Sequence, residues 1–544
     1  MRFRTMWHRH RAGEKVVSDT FKLTYSTMFD PPPALHERFD AALATVRAGL
    51  GSEHPMLIGG RDERARARFD AWSPIDARIL LGRFESAGAD HAVAAVEAAR
   101  AAFPGWAAKP WKERVRLMRR VAALIEERVF EIGAVLAIEV GKNRMEALGE
   151  AQETADLISY YCDQMEANGG YVRAMQPDPL AGFVSENTSV LKPHGPWLVI
   201  APFNFPLALS GGPAGAALVA GNTVVFKPAS ATPWSGRLLA LAMRDAGLPE
   251  GVFNYVTGTG AGLGEALIAQ PGIAGATFTG SSEVGMHLYR RFAKGRWPRP
   301  CIAEMGGKNA AIVSRHANIV DAATGVMRSA FGLSGQKCSA CSRVYVEHTV
   351  FADFVATLHG MTLKLPVGDP TRREQWMGPV IDSRAVARYE DAVAQLKSLG
   401  AAGGLVEGGR RLDHGELAHG HFVAPTVARA PFDHRLWSHE LFVPFVMVGA
   451  VQDVDEAIAR ANAVDQALTA GLYGSPDETE TFFDRIEAGV TYANRPQGAT
   501  TGAWPGFQPF GGWKGSGSTG KSAGSVYYLP QYLREQSQTR VRRG

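Results

Sequence analysis

Two short segments hold side chains able to do covalent chemistry. One is Gly335-Gln336-Lys337-Cys338-Ser339-Ala340-Cys341-Ser342-Arg343, a thiol placed just after a turn-forming glycine; the other, upstream, is Glu304-Met305-Gly306-Gly307-Lys308. A thiol nucleophile together with a carboxylate that can handle water is the equipment for oxidation through a thioester. Asn204, in Pro202-Phe203-Asn204-Phe205-Pro206, adds an amide whose NH₂ can stabilise an oxyanion; bonding to its own turn is the alternative use of such a residue. The CxxC spacing of Cys338 and Cys341 also fits metal binding or dithiol exchange. Zinc needs more ligands, however, and no second CxxC or nearby CxxH is present. No metal site is expected.

A second group of residues suits phosphate. Gly258, Gly260 and Gly264 follow an apolar run ending at Val256 and open a helix, where backbone amides can approach a pyrophosphate. Gly262 adds a fourth glycine and the spacing departs from strict GxGxxG, so a plain flexible turn is the alternative. In Phe278-Thr279-Gly280-Ser281-Ser282-Glu283 the hydroxyls and free amides stand at a strand end and helix start, as a simple N-cap also would. Lys227, in Lys227-Pro228-Ala229, ends another strand and carries an ammonium to the carboxyl edge of a sheet, where ligands of such folds bind.

The elements that must position these residues follow from periodicity. Residues 90–141 are helical in pattern, with Val93, Val96, Ala99 and Phe103 in one stripe and Leu117, Val121, Leu124 and Ile125 in the next; a further helix is expected over 154–165. A polar, Gly- and Pro-dotted stretch at 168–187 reads as a hairpin or flap. Strands at 197–201, 223–226, 252–256 and 276–278 alternate with helices, which argues for a parallel, doubly wound sheet. A second alternating block begins with strands at 310–313 and 343–347 around a helix ending near Phe331. The stretch between Lys192 and Lys227 carries no Lys, Arg, Asp or Glu, but its prolines, glycines and Asn204 break it into strand, loop, buried helix and strand rather than a membrane span.

Size and charge bound the function. A chain of 544 residues needs two or three domains, and a net charge of +4 with interspersed signs calls for no nucleic acid. Four cysteines, Cys162, Cys301, Cys338 and Cys341, are too few for a disulfide framework and suit a reducing, cytoplasmic setting; Cys162 and Cys301 read as buried small apolar residues. Residues 1–20 read as a disordered basic extension.

Taken in order, PFNFP, KPA, the glycine turn, FTGS, EMGGK, GQKC, Glu440-Leu441-Phe442-Val443-Pro444 and PFGG at 509–512 resemble the NAD(P)-dependent aldehyde dehydrogenase superfamily from about Ile75 nearly to the C-terminus. The resemblance implies an α/β fold with two doubly wound parallel-sheet domains and a small β oligomerisation flap. The dinucleotide domain falls at 1–173 and 193–305, the catalytic domain at 306–511, and the oligomerisation elements at 174–192 and 512–544, for a homodimer or larger homo-oligomer. It implies Cys338 as nucleophile, Glu304 as general base, and Asn204 with the Cys338 amide as oxyanion hole. Lys227 and Glu440 are expected on cofactor ribose hydroxyls, Ser281 on the pyrophosphate with Thr279, Gly280 and the glycine turn, and Phe442 near the nicotinamide ribose.

Within the superfamily, QKCSACSR and the late TGA before QPFGG are most similar to the L-glutamate γ-semialdehyde dehydrogenases. That implies Ser339, Gly502 and Ala503 on the substrate α-carboxylate, Asp156 near its amine, and Phe205 and Phe510 beside it. Ser230 stands where NAD-preferring relatives often carry Glu, so NADP is admitted beside NAD, and Trp504 and Pro505 replace small residues of the loop. The rival readings are the same oxidation of another semialdehyde or aliphatic aldehyde, acylation of CoA, which Glu304 argues against, and a non-catalytic homologue, which the trio of Cys338, Glu304 and Asn204 argues against.

Overall fold

The computed structural model describes residues 31–544, so the extension expected over 1–20 lies outside the described residues. Strands buried on both faces read as continuous apolar runs rather than alternating ones, and Pro196–Ile200 and Thr223–Lys227 are of that kind. They pair in parallel at the centre of a seven-stranded sheet. Phe253–Tyr255 lies beside Thr223–Lys227, while Gly275–Thr279 and Cys301–Glu304 extend the other side. The sheet is not wholly parallel as expected: Met56–Ile58 pairs antiparallel with Phe253–Tyr255, and Arg61–Glu63 closes that edge. These strands are three residues each, too short to leave a periodic signal.

Because the chain runs outward from Pro196–Ile200 and then returns to its other side at Gly275–Thr279, the strand order reverses between those two, the point at which open α/β sheets bind ligands. Register aligns the groups there: Thr279 is paired with Glu304 and Ile200 with Lys227. A second seven-stranded sheet holds, in order, Gly404–Glu407, Thr426–Arg429, Phe445–Val451, Cys341–Glu347, Asn309–Val313, Thr469–Tyr473 and Val490–Ala493, parallel except for the antiparallel edge strand Gly404–Glu407.

The uncharged stretch after Lys192 contains the helix Ala208–Ala220, and its small residues have a packing reason. A Cβ on Gly211, Gly212 or Gly215 would stand 2.4 Å from Thr154, 2.9 Å from Leu157 or 2.8 Å from Ile158, so only glycine lets this helix approach the helix Arg144–Ala167 so closely. Among the described residues no helix is long and apolar enough to cross a membrane. The helix expected at 154–165 starts ten residues earlier, where the Asn143 side chain accepts the Glu146 amide at 2.9 Å. In the helix Ala89–Ala108 the buried stripe is Ala92, Ala95, Val96 and Ala99, with Val93 exposed. Alanines hid that face.

The flap forms as a three-stranded sheet: Phe183–Pro193 pairs antiparallel with Leu533–Arg543 along its whole length, and Val172–Ala174 adds the third strand. The segment before it is packed into the chain. Trp513–Lys514 pairs with Gln466–Ala467, Tyr528, Leu529 and Tyr532 are buried in the first core, and the Tyr532 hydroxyl is 3.0 Å from that of Thr277.

A buried ion pair ties the helices together. Lys142 Nζ lies 2.6 Å from Glu150 Oε2 and 3.5 Å from the Phe205 ring centre, while Glu150 Oε1 accepts the amides of Leu207 and Ala208 at 2.8 and 3.2 Å. Removing one partner of such a pair leaves an uncompensated charge, at a cost of about 3–5 kcal/mol. Glu150→Ala is expected to lower the thermal unfolding midpoint markedly, and Glu150→Gln, which keeps an acceptor for the two amides, to recover part of it. An unchanged midpoint in Glu150→Ala would contradict this role.

Candidate active site

The carboxyl edge of the first sheet meets the amino edge of the second, and the predicted chemical residues gather at the seam. Asn204 follows the strand Pro196–Ile200; it is buried and its Nδ2 donates to the Gln336 carbonyl at 2.9 Å, leaving a second N–H. Glu304 ends the strand Cys301–Glu304, and Cys338 lies in the loop just before Cys341–Glu347. That loop is clamped by Asn309, whose Nδ2 donates to the carbonyls of Cys338 (2.7 Å) and Ala340 (2.9 Å) while its Oδ1 accepts the Thr469 amide at 3.0 Å.

The double glycine of EMGGK is a matter of clearance. A Cβ on Gly307 would come within 2.3 Å of the Cys338 carbonyl oxygen, and one on Gly306 within 2.0 Å of Glu440 Oε2. Both contacts belong to the site. Glu440 Oε1 accepts the Gly307 amide at 2.9 Å, and Phe442 adopts a left-handed φ of 57° with its ring edge-on to Phe203.

Burial sets the protonation of these groups. It pushes the Cys338 thiol up to about 12, with the Glu440 and Glu304 carboxylates acting in the same direction, while the amides of Ser339 and Cys338 itself pull it down. Burial also raises Glu304 to about 8 against a hydrogen bond from the Gly512 backbone, and Glu440 to about 7. Lys337, the cation next to Cys338 in sequence, is engaged elsewhere: its Nζ is 2.8 Å from Glu146 Oε1.

The phosphate-type residues lie along the same carboxyl edge. Lys227 is buried, lowered to about 8 by desolvation, and donates to the Pro228 carbonyl at 3.1 Å. Ser230 Oγ donates to the Gly258 carbonyl at 2.9 Å, joining the lysine turn to the glycine turn. Gly260 and Gly264 bound a π-turn whose Thr259 side chain accepts the Gly262 amide, and open space surrounds Gly260 where a Cβ would stand. Thr279 is buried at its strand end, the Gly280 amide donates to the Glu304 carbonyl at 3.1 Å, and Ser281 caps the helix Ser282–Ala293.

A cavity of about 450 Å³ brings together Cys338, Ser339, Phe205, Phe510, Gly502 and Ala503, and Trp504 also lines it. The Asp156 carboxylate accepts the Trp504 indole N–H and the Gln152 amide, each at 2.9 Å, and is not part of the lining; Glu153, one turn earlier, is. The signal was available: Glu146, Glu150 and Glu153 recur at helical spacing on one face. The Glu146–Lys337 pair and Arg495 also line the cavity and were not anticipated. All four cysteines are free, and among the described residues no group of three or more His, Cys, Asp or Glu is placed to hold a metal ion.

Comparison with known proteins agrees in sequence and in fold. Residues 61–537 match the aldehyde dehydrogenase family. A 1-pyrroline-5-carboxylate dehydrogenase of Geobacillus thermodenitrificans is 36% identical over 503 residues, covering 91% of this chain and 95% of its own. A solved 1-pyrroline-5-carboxylate dehydrogenase from Thermus with bound NAD superposes with a TM-score of 0.88 at 33% identity, covering 97% of this chain and 100% of that one. Proline utilization A from Bdellovibrio bacteriovorus, inactivated by N-propargylglycine, gives a TM-score of 0.87 at 34% identity over 93% of this chain; this chain spans 51% of its length.

A thiol raised to about 12 is almost wholly protonated at neutrality. In the ligand-free protein, alkylation of Cys338 by iodoacetamide is expected to accelerate about tenfold per pH unit from 7 to 10 with no plateau. Glu440→Gln, by removing a repelling charge, is expected to accelerate it at any pH in that window. A plateau below pH 9 would contradict the raised thiol.

Proposed function

The chain belongs to the aldehyde dehydrogenase family, and from that membership we propose that it oxidises L-glutamate γ-semialdehyde to L-glutamate with NAD(P)⁺, the step that ends proline breakdown. The observation that carries the substrate is the cavity leading to Cys338. It offers the Ser339 hydroxyl and the backbone of Gly502 and Ala503 to a carboxylate, and the Glu153 carboxylate on its wall favours the positive charge that an amino acid also carries.

The residues of the carboxyl edge fit a dinucleotide. Lys227, with one of its three N–H groups on the Pro228 carbonyl, keeps two for ribose hydroxyls. Gly260 leaves room over the turn for a pyrophosphate, beside the capped helix start at Ser281. Ser230 is neutral and would not repel a 2′-phosphate, so both NAD and NADP are accommodated. When bound, the nicotinamide supplies the hydride acceptor.

This chain's own residues do the rest. The Cys338 thiolate adds to the aldehyde carbon, and the second N–H of Asn204 and the Cys338 amide donate to the oxygen that becomes negative. Collapse of the tetrahedral adduct expels hydride and leaves a thioester. Glu304, as carboxylate, then takes a proton from water as it attacks the thioester, and the acid is released. A base raised to about 8 is half-ionised at that pH, so turnover limited by hydrolysis rises with pH through about 8.

In this reading the flap serves assembly. Phe183, Val184 and Val541 are exposed on a sheet formed by Phe183–Pro193 and Leu533–Arg543, a surface suited to a second copy of the chain, and deletion of residues 533–544 is expected to reduce the oligomer mass measured by light scattering.

Three measurements test the chemistry. The kcat/KM for L-glutamate γ-semialdehyde is expected to exceed those for succinate semialdehyde and hexanal, without CoA; preference for hexanal would overturn the substrate. Cys338→Ala is expected to bind NAD⁺ and form no NADH. Glu304→Gln is expected to lose roughly 10²–10⁴-fold in steady-state turnover, and the inflection near pH 8, while keeping a first-turnover burst of NADH.

A further inference from the structure

Resting on the glutamate semialdehyde reading, we propose that Arg495 is the positioning residue that aims the amides of Gly502 and Ala503 at the substrate carboxylate. Its guanidinium donates to two successive carbonyls of the loop, Thr501 at 2.8 Å and Gly502 at 3.0 Å. In a trans peptide the carbonyl and the following N–H point in opposite directions. The N–H groups of Gly502 and Ala503 are thereby turned away from the arginine. Among the described residues neither amide has a hydrogen-bond acceptor, although both residues line the cavity with Ser339 and Cys338. Two adjacent unpaired amides on the wall of a cavity are donors waiting for an acceptor.

The arginine is itself fixed. It follows the strand Val490–Ala493 after a left-handed turn at Asn494, whose side chain exchanges two hydrogen bonds with Gly474. The Tyr473 hydroxyl donates to the Arg495 carbonyl at 2.7 Å, and the guanidinium carbon stands 4.8 Å over the Tyr492 ring. Gly502 sits flush against it: a Cβ there would lie 2.8 Å from Arg495 Nη2, and the φ of 108° also requires glycine. The cation polarises both peptide units and makes their N–H groups stronger donors. A planar fork that spans two carbonyls is something a lysine cannot reproduce.

The test compares wild type, Arg495→Met and Arg495→Lys on L-glutamate γ-semialdehyde and on butanal, with inhibition by L-glutamate and the thermal midpoint measured on each. In Arg495→Met the ratio of kcat/KM for the semialdehyde over butanal is expected to fall about 10- to 100-fold, as loss of charge-assisted hydrogen bonds entails. The loss should appear in KM and in a weaker glutamate inhibition constant rather than in kcat, and Arg495→Lys should recover part of it. An equal loss on both aldehydes accompanied by a lowered midpoint makes the arginine merely structural and overturns the proposal, as does an unchanged ratio. A wild type that does not prefer the semialdehyde to butanal overturns the substrate reading itself and the proposal with it.

Discussion

The backbone before Cys338 is bent into a conformation that its residues resist, and the site depends on its being held there. Leu333, Ser334 and Gly335 take successive φ values of 48°, 54° and 67°, and each left-handed non-glycine residue costs roughly 1–2 kcal/mol. Side chains buried around the turn offset that cost. Ser334 Oγ donates to the Gly378 carbonyl at 2.7 Å, and Gln336 Oε1 accepts the Ile381 amide at 2.8 Å while Asn204 holds the Gln336 carbonyl. With Asn309 on the far side of the sulfur, amide side chains grip the loop from both sheets. Strain of this kind persists only where its surroundings over-determine it, which is why the amide proposed for the oxyanion also serves as a strut.

The electrostatics of the seam follow from the same burial. Cys338, Glu304 and Glu440 are acids drawn out of water, and each is raised toward its neutral form. Either carboxylate, once ionised, makes the Cys338 proton harder to lose. The nearest lysine in sequence, Lys337, is spent on Glu146 and not on the thiol. A cleft so arranged favours a cationic occupant: positive charge entering it stabilises all three ionised forms together.

Most of this was legible in the chain because chemistry forces residue type at short range. The thiol after a glycine, the strand-ending lysine, the glutamate of EMGGK and the N-cap serine each declare themselves in a few residues, and continuous apolar runs mark doubly buried strands. What could not be read depends on distance in sequence. The sequence shows two glycines in EMGGK, but the reason for them is a backbone carbonyl 31 positions on from Gly307, at Cys338, and a carboxylate at Glu440. Asp156 and Glu153 are both acidic and three positions apart on one helix, so only the Trp504 indole, which the former accepts, decides which faces the cavity. The antiparallel edge strands at 56–63 were illegible for want of length.

The connection between the two sheets explains why Glu304 and the Cys338 loop can be placed so tightly. The strand that ends at Glu304 and the strand that begins at Asn309 are separated by four residues, 305–308. Glu304 therefore closes one sheet, Asn309 opens the other and clamps the sulfur loop, and the glycines between them rest directly on the Cys338 carbonyl and the Glu440 carboxylate. Any sliding of one sheet against the other would drive those contacts into overlap or pull them apart. A misplacement of about 1 Å can cost on the order of 10²-fold in rate, so a short link with no side chains at its tightest points does for geometry what a long, flexible linker between two domains could not. The site is built on the shortest path between the sheets, and that brevity keeps Glu304 and the Cys338 loop in a fixed relation.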